Sequence, residues 1–168
     1  MKGTLSSPEP LTAEHAIDAF DSGQPVLDNW LRRRALANQS SGASRAYVVC
    51  EDERVVAFHA LASGAIAQAN VSGRFRRNMP EPIPLVVLAR LAVDREYQGR
   101  GLGRAMFRDS ARRVVQAADC IGVRGIIVHA ISEVAQRFYI ALGFDPSPVD
   151  ARTLLVTLRH LQSALQPG

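Results

Sequence analysis

The chain has almost no lysine. Nineteen of its 20 basic residues are arginine, and Lys2 is the only lysine among 168 residues. That shortage excludes a P-loop of the form G-x-x-x-x-G-K-[ST], a kinase-type strand lysine and an interior Schiff-base lysine. Cysteine is nearly as scarce. Cys50 and Cys120 lie far apart and outside any CxxC or Cys/His cluster, so no metal site and no disulfide framework is expected. Both read as buried thiols in a reducing compartment. Long apolar runs are also missing, with nothing near the ~20 residues that a membrane span requires. The N-terminal MKGTLSSPEPLTAEH has no apolar signal region, and the C-terminus carries no lipidation box. A cytoplasmic protein without membrane association is expected.

What is present describes an ordinary globular chain, with 47% apolar and 21% charged residues. Its length suits one domain spanning 1–168, able to bury roughly 70% of its unfolded surface. The net charge is +4. Arginine in place of lysine can reflect a GC-rich genome, but composition does not explain position. Arg32, Arg33 and Arg34 are contiguous, and Arg74, Arg76 and Arg77 crowd a segment without acids, while Glu51, Asp52 and Glu53 gather elsewhere. Two basic clusters on a nearly balanced chain suggest a polyanion-binding surface.

Residues 25–37, PVLDNWLRRRALA, place Val26, Leu27, Trp30 and Leu31 on one helical face behind a proline at the first position, with Trp30 read as core packing. SRAYVVCE and RVVAFHALAS, joined by the acidic turn 51–53, read as an antiparallel hairpin. Pro80, Pro82 and Pro84 keep the chain extended into LVVLARLAVD, the strongest strand signal. The loop REYQ follows, then a helix carrying Leu102, Met106, Val114 and Ala118 at helical intervals. VRGIIVHA is a buried strand, SEVAQRFYIALGF a helix capped by Ser132 and Gly143, and TLLVTLRHL a last strand running into a short helix. This order predicts an α/β fold with a mixed central sheet flanked by helices.

Chemistry concentrates in Gln98-Gly99-Arg100-Gly101-Leu102-Gly103-Arg104-Ala105. Glycines let the backbone approach a ligand, and amides at a helix N-terminus make a cradle for a pyrophosphate. Arg100 and Arg104 add positive charge beside it. A dinucleotide-binding G-x-G-x-x-G/A does not fit, because the sixth residue from Gly99 is Arg104 and from Gly101 is Met106.

Q-x-x-G-x-G does fit. With the strand before it and the FY-x-x-x-GF pattern from Phe138 to Phe144 after it, the chain resembles the Gcn5-related (GNAT) N-acetyltransferases. The phrases VLDNWL (26–31), MPEPIP (79–84), LARLAVD (88–94), VHA (128–130) and Pro146 after Phe144 narrow the resemblance to the acetyltransferase toxins of type II toxin-antitoxin systems. Where that family often has Cys-Gly before the tryptophan helix, this chain has Ser22-Gly23.

The resemblance implies a sheet with a splayed parallel strand pair that binds acetyl-CoA. Leu91, Ala92 and Val93 would bond the pantetheine arm, and Gln98 to Ala105 would hold the pyrophosphate. It implies Tyr139 as the general acid for the departing CoA thiolate. It also implies acetylation of the α-amine on aminoacyl-tRNA, a ribbon-helix-helix antitoxin and a homodimer. The tRNA contacts expected on that reading are the two arginine clusters with Arg90. An α-amine, with a reference pKa of about 7.7 to 8.0, keeps a useful neutral fraction at pH 7, so a strong general base is not essential. His59 and His129 lie on strands, where imidazoles are more often satisfied structural groups; His129, at a strand end, is the better catalytic candidate. The competing readings are an acetyltransferase of a small amine or protein N-terminus, and a non-catalytic CoA-sensing or nucleic-acid-binding module.

Overall fold

The computed structural model describes residues 3–166, and Lys2 lies outside them. From the N-terminus its elements are β1 (Glu9–Pro10), α1 (Pro25–Arg33), α2 (Ala35–Ser41), β2 (Arg45–Glu51), β3 (Arg54–Ile66), α3 (Gly73–Arg76) and β4 (Ile83–Val93). After a 3-10 turn at Arg95–Tyr97 come α4 (Leu102–Ala117), β5 (Gly125–His129), α5 (Glu133–Ala141), β6 (Asp145–Ser147), β7 (Asp150–Thr157) and α6 (Leu158–Leu165). The strands form one seven-stranded sheet in the order β1-β2-β3-β4-β5-β7-β6. It is a mixed sheet, as expected. β1/β2, β2/β3, β5/β7 and β6/β7 are antiparallel, whereas β4 and β5 are parallel at Val86↔Ile126 and Val87↔Ile127. No helix among the described residues is long and apolar enough to cross a membrane.

The chain divides into two compact units. One comprises residues up to Ala62 with Ala89–Ser110, the other Ser63–Leu88 with the chain from Ala111 onward. In the first, Leu27 and Leu31 of α1 are buried one turn apart with Phe20, Val48, Val55 and Phe58, which is the helical spacing that made the segment amphipathic. Trp30 stacks on Phe58, ring centroids 6.0 Å apart, and so packs as expected. The expected single helix over 25–37 is two, because Arg34 (φ -121°, ψ -31°) ends α1 and begins α2. A second cluster in this unit joins Val49, Val56 and Ala57 to Tyr97 and Met106, seating the start of α4. Val49 and Cys50 both point into cores because β2 bulges between them.

In the second unit Ile83 and Leu85 of β4 pack with Val71, Phe75, Ile127 and Leu155. Gly125 is required by packing, since a Cβ there would meet the Val156 backbone. Phe75 anchors α3, a turn that the basic run concealed. Cys120, expected to be buried, is exposed just past the end of α4, whereas Cys50 is buried.

Candidate active site

The glycine-rich loop takes its shape from two left-handed residues. Gly99 and Gly101 have φ of 78° and 81°, a region that costs an L side chain roughly 1–2 kcal/mol. A Cβ added at either would meet no atom within 4 Å, so open space faces the loop. The first helical bond of α4 runs from the Ala105 N–H to the Gly101 carbonyl, 3.1 Å. The amides of Leu102, Gly103 and Arg104 therefore have no partner within the helix and stand at its positive end. Arg100 and Arg104 are exposed beside them, and Arg100 lies over the Tyr97 ring, 5.1 Å from its centroid. This arrangement fits the pyrophosphate of acetyl-CoA.

Gln98 serves the loop differently from its neighbours. Its Nε2 donates to the carbonyls of Ser22 (2.9 Å) and Val93 (2.8 Å), tying the end of β4 to the turn before α1. That turn is itself fastened: Ser22 Oγ donates to Asp28 Oδ1 at 2.6 Å, and buried Asp94 accepts from the amides of Asp21 and Glu96 and from Arg54. Ser22, standing where the toxin family often has cysteine, thus has a structural use. Asp28 and Asp94 are further supports for the loop, reached through folds of chain that no local motif marks. Ala92 is buried while Leu91 and Val93 are half-buried. Val93 has given a carbonyl lone pair to Gln98.

In the second unit Tyr139 sits in α5, whose N-terminus is closed by Ser132 Oγ accepting from the Ala135 N–H at 3.1 Å. The helix ends at Leu142, and Gly143 follows with φ 103°. A Cβ on Gly143 would meet the ring of exposed His160, which would have to turn aside, so the positive φ is what asks for glycine here. Tyr139 is 6% exposed and packs edge-on to Phe138 and Phe144, at 5.1 and 5.3 Å. Burial pushes its phenol pKa well up, so the proton stays on the oxygen throughout the physiological range.

The two strand histidines differ. His59 is fully buried, its Nε2 2.8 Å from Asp109 Oδ2 on α4, and its ring stacks with Tyr47; it holds helix to sheet. His129 ends β5 with its side chain exposed, its Nδ1 3.1 Å from Thr153 Oγ1, which donates to Asp150 Oδ2 at 2.8 Å. Neither Thr153 nor Asp150 stood out in the sequence, because strand register brings them to His129.

The arginines fall into separate groups. Arg33 and Arg34 are exposed, while Arg32 is half-committed, donating to the Phe20 carbonyl (2.7 Å) and Asn29 (3.2 Å). Arg90 lies over Trp30, 5.3 Å from its ring centroid, and so joins the same unit as α1. Desolvation lowers its pKa. In the second unit Arg74, Arg76 and Arg77 are exposed around α3. Arg74 stands 3.8 Å from Asp145, and Arg76 donates to the Val71 carbonyl.

The ligand atoms of Glu9, His15 and Cys50 lie within 4.8 Å of one another. The Thr12 N–H donates to His15 Nδ1 at 2.9 Å, which leaves the ring proton on Nε2, 2.8 Å from Glu9. The Thr12 amide therefore occupies the imidazole lone pair and the Nε2 proton faces Glu9, which withholds His15 from a metal.

A glycine-shaped loop with open amides at the head of a helix, after a long strand in a mixed sheet with one parallel pair, is the framework of an acyl-CoA-dependent transferase. The acetyltransferase (GNAT) domain family matches residues 42–146. The chain belongs to that family and is an N-acetyltransferase using acetyl-CoA. Over 160 residues, 95% of this chain and 96% of the relative, it is 48% identical to a tRNA-acetylating toxin of Mycobacterium tuberculosis. Among solved structures it is similar to AtaT complexed with acetyl-methionyl-tRNAfMet, at 27% identity over 97% of this chain and 100% of that one, with a TM-score of 0.89. It is also similar to an AtaT mutant toxin bound to acetyl-CoA and the C-terminus of the antitoxin AtaR, at 27% identity over 97% and 99% of the two chains, TM-score 0.84.

Proposed function

We propose that residues 1–168 act as one acetyltransferase domain that acetylates the α-amino group of the amino acid carried by charged tRNA and so blocks translation. The observation that carries this reading is the 48% identity, over 95% of the chain, to a protein named for acetylating tRNA. A cytoplasmic toxin of this kind works as a homodimer and is neutralised by a ribbon-helix-helix antitoxin.

Acetyl-CoA supplies the acetyl group as an activated thioester. The amides from Leu102 to Arg104 hold its pyrophosphate, with Arg100 and Arg104 adding charge, and the backbone of Leu91, Ala92 and Val93 holds the pantetheine arm. Tyr139, kept protonated by burial, donates to the departing thiolate. In the first unit the exposed Arg33 and Arg34, with Arg32 and Arg90, meet the tRNA backbone, and in the second the exposed Arg74, Arg76 and Arg77 do so.

The direct test is incubation with acetyl-CoA and total charged tRNA, followed by nuclease release and mass spectrometry of the aminoacyl adenosine. Acetylated species are expected. Their absence, with acetyl-CoA binding intact, transfers the reading to a small amine or a protein N-terminus. Phosphate contacts release counterions, so tRNA affinity must fall steeply between about 50 and 200 mM salt. A flat response refutes the arginine assignments.

A further inference from the structure

We infer that His129 is the general base of the acetyl transfer, its Nε2 taking the proton that the acceptor amine loses as it attacks the thioester. This rests on the acceptor named above, an aminoacyl α-amine.

One hydroxyl orders the hydrogen bonds around His129. Thr153 has a single O–H proton, and it is directed at Asp150 Oδ2, 2.8 Å away. Asp150 also accepts the Arg152 N–H at 3.0 Å. These two bonds, the Arg152 amide first, hold its carboxyl below the usual carboxylate range, so it is ionised and can only accept. The Thr153 oxygen must then accept from His129 Nδ1 at 3.1 Å. A neutral His129 ring therefore carries its proton on Nδ1 and presents the Nε2 lone pair from an exposed side chain. Strand register maintains the arrangement, since His129 and Thr153 are direct partners in the β5/β7 ladder. His59 provides the contrast: its ring is fully buried and its Nε2 is turned onto Asp109, where no substrate reaches it.

Position supports the assignment. His129 is the last residue of β5, at the carboxyl end of a strand with a parallel neighbour, where α/β sheets bind their ligands. The Ser132 cap and the Tyr139 helix follow directly, so one segment of chain carries both the base and the acid.

The step balances. The amine lone pair forms the C–N bond to the thioester carbonyl carbon, and the nitrogen, now positive, loses its proton to His129 Nε2. Collapse of the tetrahedral adduct breaks the C–S bond, the electron pair leaves on sulfur, and sulfur takes the Tyr139 proton. His129 then releases its proton to water and Tyr139 regains one from it, giving amide and free thiol. An α-amine is already neutral enough to attack. The base acts afterwards, because an adduct still carrying N⁺–H expels the amine again.

The test uses the full chain with acetyl-CoA and charged tRNA, after the unmodified protein has been shown to acetylate it. His129→Ala is expected to lower kcat by roughly 100-fold or more, leave KM for acetyl-CoA unchanged, and recover part of its rate with added imidazole. His129→Gln, which retains an amide donor for Thr153, should lose as much. Thr153→Val should show a smaller loss that imidazole does not repair. Full kcat in His129→Ala overturns the inference, as does a folded, slow variant that imidazole leaves slow. If the unmodified protein acetylates a small amine but no charged tRNA, the tRNA reading fails, and the same variants assayed on that amine decide the role of His129 separately.

Discussion

Replacing Gly101 with alanine separates the conformation of the phosphate loop from its binding. At φ 81° an added Cβ costs roughly 1–2 kcal/mol, which for a chain of this size lowers Tm by about 2–8 °C. No clash adds to that, because nothing lies within 4 Å of the new atom. The methyl group instead intrudes on the open volume from which, on the proposed reading, a phosphate would reach the amides of Leu102 to Arg104. A hydrogen bond to a charged group contributes about 1.5–3 kcal/mol, so the loss of one weakens acetyl-CoA binding roughly 10- to 100-fold. Titration calorimetry with acetyl-CoA and thermal melts read the two effects independently. Gly73→Ala is the control: it also faces open space, at a φ outside the left-handed region, and should leave acetyl-CoA affinity unchanged. If Gly101→Ala melts early yet binds acetyl-CoA as tightly as the parent, this loop is not the phosphate cradle.

Tyr139→Phe keeps the ring contacts with Phe138 and Phe144 and should lower single-turnover acetyl transfer by roughly 100- to 10,000-fold with acetyl-CoA binding intact; an unchanged rate removes Tyr139 as the acid. Asp109→Ala removes one hydrogen-bond partner of buried His59 and should cost about 1–3 kcal/mol in urea unfolding; a loss below about 1 kcal/mol would mean the pair is no stronger than a surface contact. Gly143→Ala should destabilise through both its φ and the His160 ring; adding His160→Ala should restore only the steric part, seen as non-additivity in a double-mutant cycle. Cys50 is pushed up from 9.0 to about 11, by burial first and then by the charge of Glu9. A raised thiol pKa means the folded state holds the proton longer, so this stabilisation is complete below pH 9 and lost as pH rises towards 11. Denaturant melts at pH 8 and 10 should show that decline in the parent and less of it in Cys50→Ala.

The sequence by itself determined the features that depend on neighbours along the chain. A strand running into Gln98-x-x-Gly101-x-Gly103, a helix behind it, and Tyr139 in a helix opened by Ser132 are local signals, written in periodicity, caps and glycines. Elements without such signals escaped. The two-residue β1 and three-residue β6 are too short to alternate and exist because a sheet edge pairs them. α3 hid in a basic run, and the break at Arg34 divided a helix whose apolar face was read correctly at Leu27, Trp30 and Leu31 but not at Val26, which is exposed. Only the tertiary structure decided what long-range pairs do. His59 meets Asp109 across fifty residues and becomes structural. Gln98 reaches back to Ser22 and becomes a brace. His129 meets Thr153 through ladder register and acquires a fixed tautomer. The reason is physical: which nitrogen of a ring carries its proton is set by the partner opposite, and strand pairing chooses that partner.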